Sequence, residues 1–316
     1  MMKWYWIASI VAGAFLLASL IFMVPFTYSI AKKIYFGSFV RKNPQEWGRV
    51  CSCPSNEEQL RMFNAGVSWA AQHRDVIKEL SISNDGLKLV GEYFDFKKEM
   101  TIIILPGRCE SLLYSYYYAM TYTNKCNVLV IDQRAHGESE GQFSTAGIKE
   151  GEDALLWAKL LKEKCEQKEV VIHGVCIGGA SAIRASSLDE KNQYIDKLIL
   201  DGIFVSFYDT IKRHTIAEGH NPFPVVNEIP SLFRKYARVD IMKYTPLKMI
   251  RKVDVPILFI HSRVDVFSLP KNLALIVEAS PSVNKTVVWF EKGGHSHIRI
   301  NNEEKYDETI LSFLRK

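Results

Sequence analysis

The chain has 316 residues, 47% of them hydrophobic, with 40 basic and 35 acidic side chains for a net charge of +5. Such a length suits one large domain better than two once an apolar N-terminus is set aside, and the apolar fraction suffices to bury a core. Basic residues are spread along the chain with no stripe of interleaved aromatics, which argues against nucleic acid as a partner, and neither an internal repeat nor a low-complexity tract occurs.

No charge falls between Lys3 and Lys32. The apolar run after Lys3 is long enough to cross a bilayer, which takes about 20 helical residues. Trp4, Tyr5 and Trp6 at one end and Tyr28 at the other have the character of interfacial aromatics. Residues 1–31 therefore read as a single transmembrane anchor, with Pro25 expected to kink or end the helix. A cleaved signal peptide is the competing reading, but no convincing small-x-small cleavage site precedes Lys32. Lys32, Lys33, Arg41, Lys42 and Arg49 follow the span, and by the positive-inside rule they favour the cytoplasmic side for the remainder, with the opposite topology left open by the short basic N-terminus before the span.

Residues 32–80 read as a linker followed by an amphipathic helix over 57–80, spaced by Leu60, Phe63, Val67, Trp69 and Ile77. Asn84-Asp85-Gly86 is a hairpin turn between two short strands. Strands are then expected at 101–105, 127–131, 170–172, 197–200, 256–260 and 285–290, with helices over 110–122, 146–164 and 306–314 and another after residue 179. Apolar strands alternating with helices indicate a mostly parallel sheet covered on both faces. Residues 204–252 break the alternation and read as a small lid above the strand ends.

Six cysteines are present, at 51, 53, 109, 126, 165 and 176. None has the C-x-x-C spacing of a zinc site, and the even count permits disulfides without pairing them. Cys126 and Cys165 read as small packing residues. Cys176 differs. It sits in His173-Gly174-Val175-Cys176-Ile177-Gly178-Gly179, between a β-branched run and a helix, with small residues where a sharp turn would throw a larger side chain into the strand or helix. A nucleophile needs a base in reach and a group to orient that base. Asp265 follows the strand at 256–260, and His295 follows the strand at 285–290 in Gly293-Gly294-His295-Ser296-His297. Each follows a strand, so all three can meet at one edge of a parallel sheet. Asp201 ends another strand and is an alternative acid, and His297 is a rival base.

The strand–turn–helix around Cys176 resembles the nucleophile elbow of the α/β-hydrolase family. Leu105-Pro106-Gly107-Arg108 resembles that family's oxyanion loop, and Asp132-Gln133-Arg134-Ala135-His136-Gly137-Glu138-Ser139-Glu140-Gly141 resembles its D-x-R-x-x-G-x-S-x-G loop. Asp201-Gly202-Ile203-Phe204 and Tyr244-Thr245-Pro246-Leu247 are similar to segments of its esterase-like and serine-peptidase-like members. The resemblance covers residues 80–316 and implies an α/β-hydrolase domain over 81–316. Two positions depart: Pro106 stands where the family has histidine, and Cys176 replaces serine, as in dienelactone hydrolase-like members with a Cys-His-Asp triad. The resemblance implies Cys176 as nucleophile, His295 as base, Asp265 as orienting acid, and the backbone N–H groups of Ile177 and Arg108 as oxyanion donors.

The expectation is a membrane-anchored hydrolase of acyl esters or thioesters that acts on a small-molecule acyl substrate without metal or organic cofactor. The departures at 106 and 176 motivate a second reading, a catalytically weak protein that binds an acyl ligand or a protein partner at the membrane. A third is acyl transfer to an amine or alcohol.

Overall fold

Apolar periodicity builds an eight-stranded sheet around which everything else is arranged. The computed structural model describes residues 2–49 and 57–316, so Cys51 and Cys53 lie outside the described residues. Strands β1 (Ile77–Asn84), β2 (Leu87–Phe94), β3 (Met100–Leu105), β4 (Asn127–Ile131), β5 (Glu169–Val175), β6 (Lys197–Asp201), β7 (Ile257–Ser262) and β8 (Lys285–Phe290) lie in the order β1-β2-β4-β3-β5-β6-β7-β8. The first two strands form an antiparallel hairpin that pairs antiparallel with β4. The other neighbours are parallel. Asp85 and Gly86 both take positive φ, 52° and 75°, as a two-residue hairpin turn with right-handed strand twist requires.

Helices α1 (Met2–Ser38), α2 (Glu57–Gln72), α3 (Leu112–Ala119), α4 (Ile148–Lys164), α5 (Ile177–Leu188), α6 (Phe207–Ala217), α7 (Ile229–Leu232), α8 (Pro246–Met249), α9 (Pro270–Ala279), α10 (Ile298–Asn301) and α11 (Glu303–Leu314) complete the chain. One sheet face is covered by α4, α5, α9 and the lid. The other is covered by α2, α3 and α11. The central strands β3, β4 and β7 are apolar on both sides because both sides are covered.

Three expectations change. Pro25 lies inside an unbroken helix that continues to Ser38. From Thr27 onward a four-residue spacing (Thr27, Ala31, Tyr35) is buried against the domain, and those contacts carry the helix past the proline. The helix read over 57–80 ends at Gln72, and Ile77 and Leu80 belong to β1, where they alternate with exposed neighbours. An apolar spacing of three or four fits either period, and pairing of Ile77 with Phe94 decides it. The segment read as a linker is partly clamped. The Arg41 guanidinium donates to the carbonyls of Gly137 and Ser139 at 2.6 and 3.1 Å, and Trp47 stacks on His136 at 4.9 Å.

Candidate active site

The turn after β5 sets the site. Cys176 has φ 54° and ψ −113°, a backbone conformation that costs a non-glycine residue about 1–3 kcal/mol and persists only where neighbours fix it. The neighbours are identifiable. A Cβ on Gly174 would stand 2.4 Å from the carbonyl oxygen of Gly178, and one on Gly178 would stand 2.1 Å from that of Leu105. The first collision is with the following helix, as anticipated. The second is with the adjacent strand β3 rather than the elbow's own strand. The Cys176 N–H donates to the Asp201 carbonyl at 2.9 Å, which ties the elbow to the end of β6.

His295 and Asp265 meet at the same sheet edge. Nδ1 of His295 lies 2.7 Å from Oδ2 of Asp265, and the other carboxylate oxygen accepts from the N–H groups of Phe267 and Ser268 at 2.9 and 2.7 Å. Burial pushes the Asp265 pKa up, but the bond and charge of His295, the Ser268 N–H and the charge of His261 outweigh it and carry it below the usual carboxylate value. Burial likewise works to discharge His295. Cys176 and Asp265 overcome that and hold the imidazole well above the ordinary histidine value. Nε2 of His295 is buried and closes no hydrogen bond of strict geometry. Cys176 is nonetheless close enough to raise the ring through charge and a hydrogen-bonding contact. Loose alignment of this kind is common in sites without substrate.

Cys176 is half-buried and opens onto a cavity of about 130 Å³. Its walls include Arg108, Ile177, Ile211 and His214, and, from α1, Ile34 and Ser38. Among the described residues no hydrogen-bond acceptor is recorded for the backbone N–H of Ile177 or Arg108. Ile177 opens α5 directly after Cys176, Arg108 lies in the loop after β3, and both line the same cavity. The Gly107 N–H is taken by the Glu110 carboxylate at 2.7 Å. Burial raises the Glu110 pKa, with the Gly107 N–H and nearby His295 opposing it.

The rival residues fall elsewhere. Asp201 is fully buried and accepts from the Tyr306 hydroxyl at 2.7 Å, not from His295. Its carboxyl is pushed up to about 7 by burial. His297 contacts the carbonyl of His295 through Nδ1 at 2.7 Å and does not pair with Asp265. His173 lies between the hydroxyls of Tyr122 and Tyr306, at 2.9 and 3.1 Å. His136 is held by the Arg134 carbonyl and by the Cys109 N–H. Arg134 forms a two-pronged ion pair with Asp153, and Asp132 accepts from the N–H groups of Leu112 and Glu138, so both brace their own loop. Ser181 donates back to the Ile177 carbonyl within α5. His214 faces the site and stacks on Phe267 at 4.0 Å, whereas His220 is exposed.

The sequence reading missed Glu110, Phe267 and the α1 residues. The α1 contribution had a signal: aromatics at Tyr35, Phe36 and Phe39 continue helical spacing beyond the Lys32-Lys33 pair. Nothing in the sequence marked Glu110.

Comparison with known proteins agrees with this architecture. No protein-family model matches the chain. YqkD, an uncharacterized protein of Bacillus subtilis, is 28% identical over 217 residues, 68% of this chain and 70% of its own length. The uncharacterized membrane protein YNL320W of Saccharomyces cerevisiae is 24% identical over 74% of this chain and 77% of its own. The alpha/beta hydrolase domain-containing protein WAV2 of Arabidopsis thaliana is 24% identical over 61% of each. Among solved structures, the Pyrococcus furiosus esterase Pf2001 superposes with a TM-score of 0.63 at 22% identity, covering 77% of this chain and 92% of that one. At such identity the likeness shows the fold: the chain has the α/β-hydrolase fold, with one N-terminal helix long and apolar enough to cross a membrane.

Proposed function

We propose that this α/β-hydrolase-fold protein is a membrane-anchored hydrolase of acyl esters or thioesters that works through a covalent acyl-enzyme on Cys176. The observation that carries the reading is the position of His295, with one ring nitrogen bonded to Asp265 and the other beside the sulfur of Cys176 at an open cavity. Asp265 fixes the tautomer that presents Nε2 to sulfur and stabilises the imidazolium.

The chemistry follows from that order. His295 draws the thiol proton and Sγ attacks the acyl carbon. An S–C bond forms while the carbonyl electron pair moves to oxygen, where the N–H groups of Ile177 and Arg108 receive it. Collapse breaks the bond to the leaving group, which takes the proton from His295. Water, deprotonated by His295, then attacks the thioester, releasing the acid and returning the thiol. Thiolate itself leaves readily, so the adduct reverses wherever the leaving group departs unprotonated and poor; an ester alcohol competes because His295 hands it a proton as it leaves. Activated esters, lactones and thioesters are therefore favoured over amides. Helix α1 supplies the anchor, and the basic residues after it favour a cytoplasmic domain.

The test is turnover of p-nitrophenyl acetate by the full chain in detergent micelles, beside Cys176→Ala and His295→Ala. The reading requires turnover in the parent and its loss in both variants. Equal rates in parent and Cys176→Ala would sink it and leave the binding-protein reading.

A further inference from the structure

The anchor helix is also a wall of the reaction cavity. Ile34, Ser38 and Phe39 line the space above Cys176, opposite α6. The attachment is built rather than incidental. The Arg108 guanidinium donates to the Ser38 carbonyl at 3.1 Å and sits 5.6 Å from the centre of the Phe39 ring. Phe39 packs on Phe207 and Phe233 of the lid at 5.6 and 5.2 Å, and Tyr35 meets Phe233 edge-on at 5.1 Å. Arg108 thus joins α1 to the loop that carries a proposed oxyanion donor.

Helix geometry fixes where that wall lies. The uncharged run from Trp4 to Ala31 rises about 42 Å, which matches a bilayer with its headgroup layers. Residues from Trp4 to Phe26 are largely exposed, and burial against the domain begins at Thr27. With α1 across a bilayer, the domain would rest on the membrane surface. Ile34 and Ser38 come only about 5 and 11 Å beyond the run. Ile34 is 40% exposed, and with exposed Glu218 at the end of α6 it flanks the cavity mouth. Two apolar side chains of the lid are exposed: Ile216, near the end of α6, is 50% exposed, and Phe223, 68% exposed, lies two residues before the turn at Val225–Glu228 that packs on α1. The cavity, about 130 Å³, is small beside a long acyl chain, which therefore extends beyond it, and Ile34 and Glu218 are its exposed wall residues.

We propose that the cavity takes its substrate from the bilayer: the long-chain acyl ester of a membrane lipid, with the chain leaving between α1 and α6 and Ile34 and Ser38 setting chain-length preference. This rests on the Cys176 hydrolase reading and adds the substrate class and the role of α1. Hydrolysis consumes one water and yields a free fatty acid and the lipid alcohol.

The experiment uses the full chain in phosphatidylcholine–phosphatidylserine nanodiscs, with 4-methylumbelliferyl oleate in the bilayer and 4-methylumbelliferyl butyrate in solution. Two variants act on the mouth, Ile34→Trp to narrow it and Ile34→Ala to widen it. Ile34 is partly exposed, so neither substitution empties or overfills a core, and measurable butyrate turnover reports a folded site. The expected result is a fall of about tenfold or more in the ratio of oleate to butyrate kcat/KM for Ile34→Trp, the scale on which apolar pockets discriminate chain length, with Ile34→Ala moving the ratio the other way. A ratio untouched by either variant would overturn the proposal, as would butyrate turnover with none of oleate, while leaving the Cys176 reading in place. Turnover of neither ester by the parent would sink both. An S-palmitoylated peptide that responds to Ile34→Trp when 4-methylumbelliferyl oleate does not would refute the lipid assignment.

Discussion

Gly178 and Gly179 are adjacent, yet the elbow geometry predicts opposite outcomes for adding one methyl group to each. At Gly178 a Cβ would lie 2.1 Å from the Leu105 carbonyl oxygen, 2.6 Å from its carbon and 2.8 Å from the Pro106 oxygen. All three are backbone atoms, so no side chain can swing away. Relief to ordinary contact near 3.4 Å requires β3 and the helix to part by about 1.3 Å. Overpacking of this kind costs about 1–3 kcal/mol, a fall in melting midpoint of roughly 3 °C for 2 kcal/mol at this chain size. The displaced segment leads into Gly107 and Arg108, and a misplacement of about 1 Å at a reacting centre costs about a hundredfold in rate. A Cβ on Gly179 would meet the tip of Ile203 at 3.2 Å, the Gly174 carbonyl oxygen at 3.3 Å and Leu200 at 3.8 Å, contacts that relax by tenths of an ångström. Alanine there also gains helix propensity, up to about 1 kcal/mol. Gly178→Ala should therefore lose stability and at least about a hundredfold in p-nitrophenyl acetate turnover, while Gly179→Ala keeps both. Thermal unfolding in detergent and initial rates measure the pair. Indistinguishable variants would refute the steric account of the elbow.

Other substitutions separate roles around the site. Asp265→Asn removes the carboxylate that fixes the His295 tautomer, and kcat should drop by about a hundred- to ten-thousandfold with little change in melting midpoint. Asp201 has a folded pKa of about 7, above its unfolded value. From about pH 4 to 7 the folded chain therefore keeps a proton that the unfolded chain has released, and stability falls as pH rises through that window. Asp201→Asn keeps an acceptor for Tyr306, should flatten that decline, and should stabilise at pH 8 by about 2–4 kcal/mol at about 1.4 kcal/mol per pKa unit; unchanged slopes of melting midpoint against pH would count against a buried, protonated Asp201. Arg299 is 2% exposed and donates to Asp307, Glu303 and the Tyr117 carbonyl. Arg299→Leu strands those acceptors and should cost about 3 kcal/mol or more, read as a loss of unfolding free energy.

The alternation of apolar strands and helices was legible because both faces of the sheet are covered, which makes β3, β4 and β7 continuous apolar runs. Asn84-Asp85-Gly86 was legible because its turn requires positive φ at 85 and 86. Cys176, Asp265 and His295 stood out because each follows a strand, and parallel strands deliver their C-terminal ends to one edge. What the sequence concealed depends on contacts distant along the chain. The length of α1 was masked by Pro25, since a local rule for helix ends does not register burial of Thr27, Ala31 and Tyr35 against the lid. The fate of residues 73–80 was ambiguous because their apolar spacing fits both periods until β2 supplies a partner. Glu110 was invisible because its significance comes from the Gly107 N–H and a histidine far along the chain.

The most direct test of the account is peptide mass spectrometry after brief mixing of the full chain with p-nitrophenyl acetate and an acid quench. The account predicts a single acetyl group on Cys176, formed in the parent and largely absent in His295→Ala, with none on Cys126, whose thiol burial pushes up to about 11. Acetyl label absent from Cys176, or equal there in parent and His295→Ala, would contradict it.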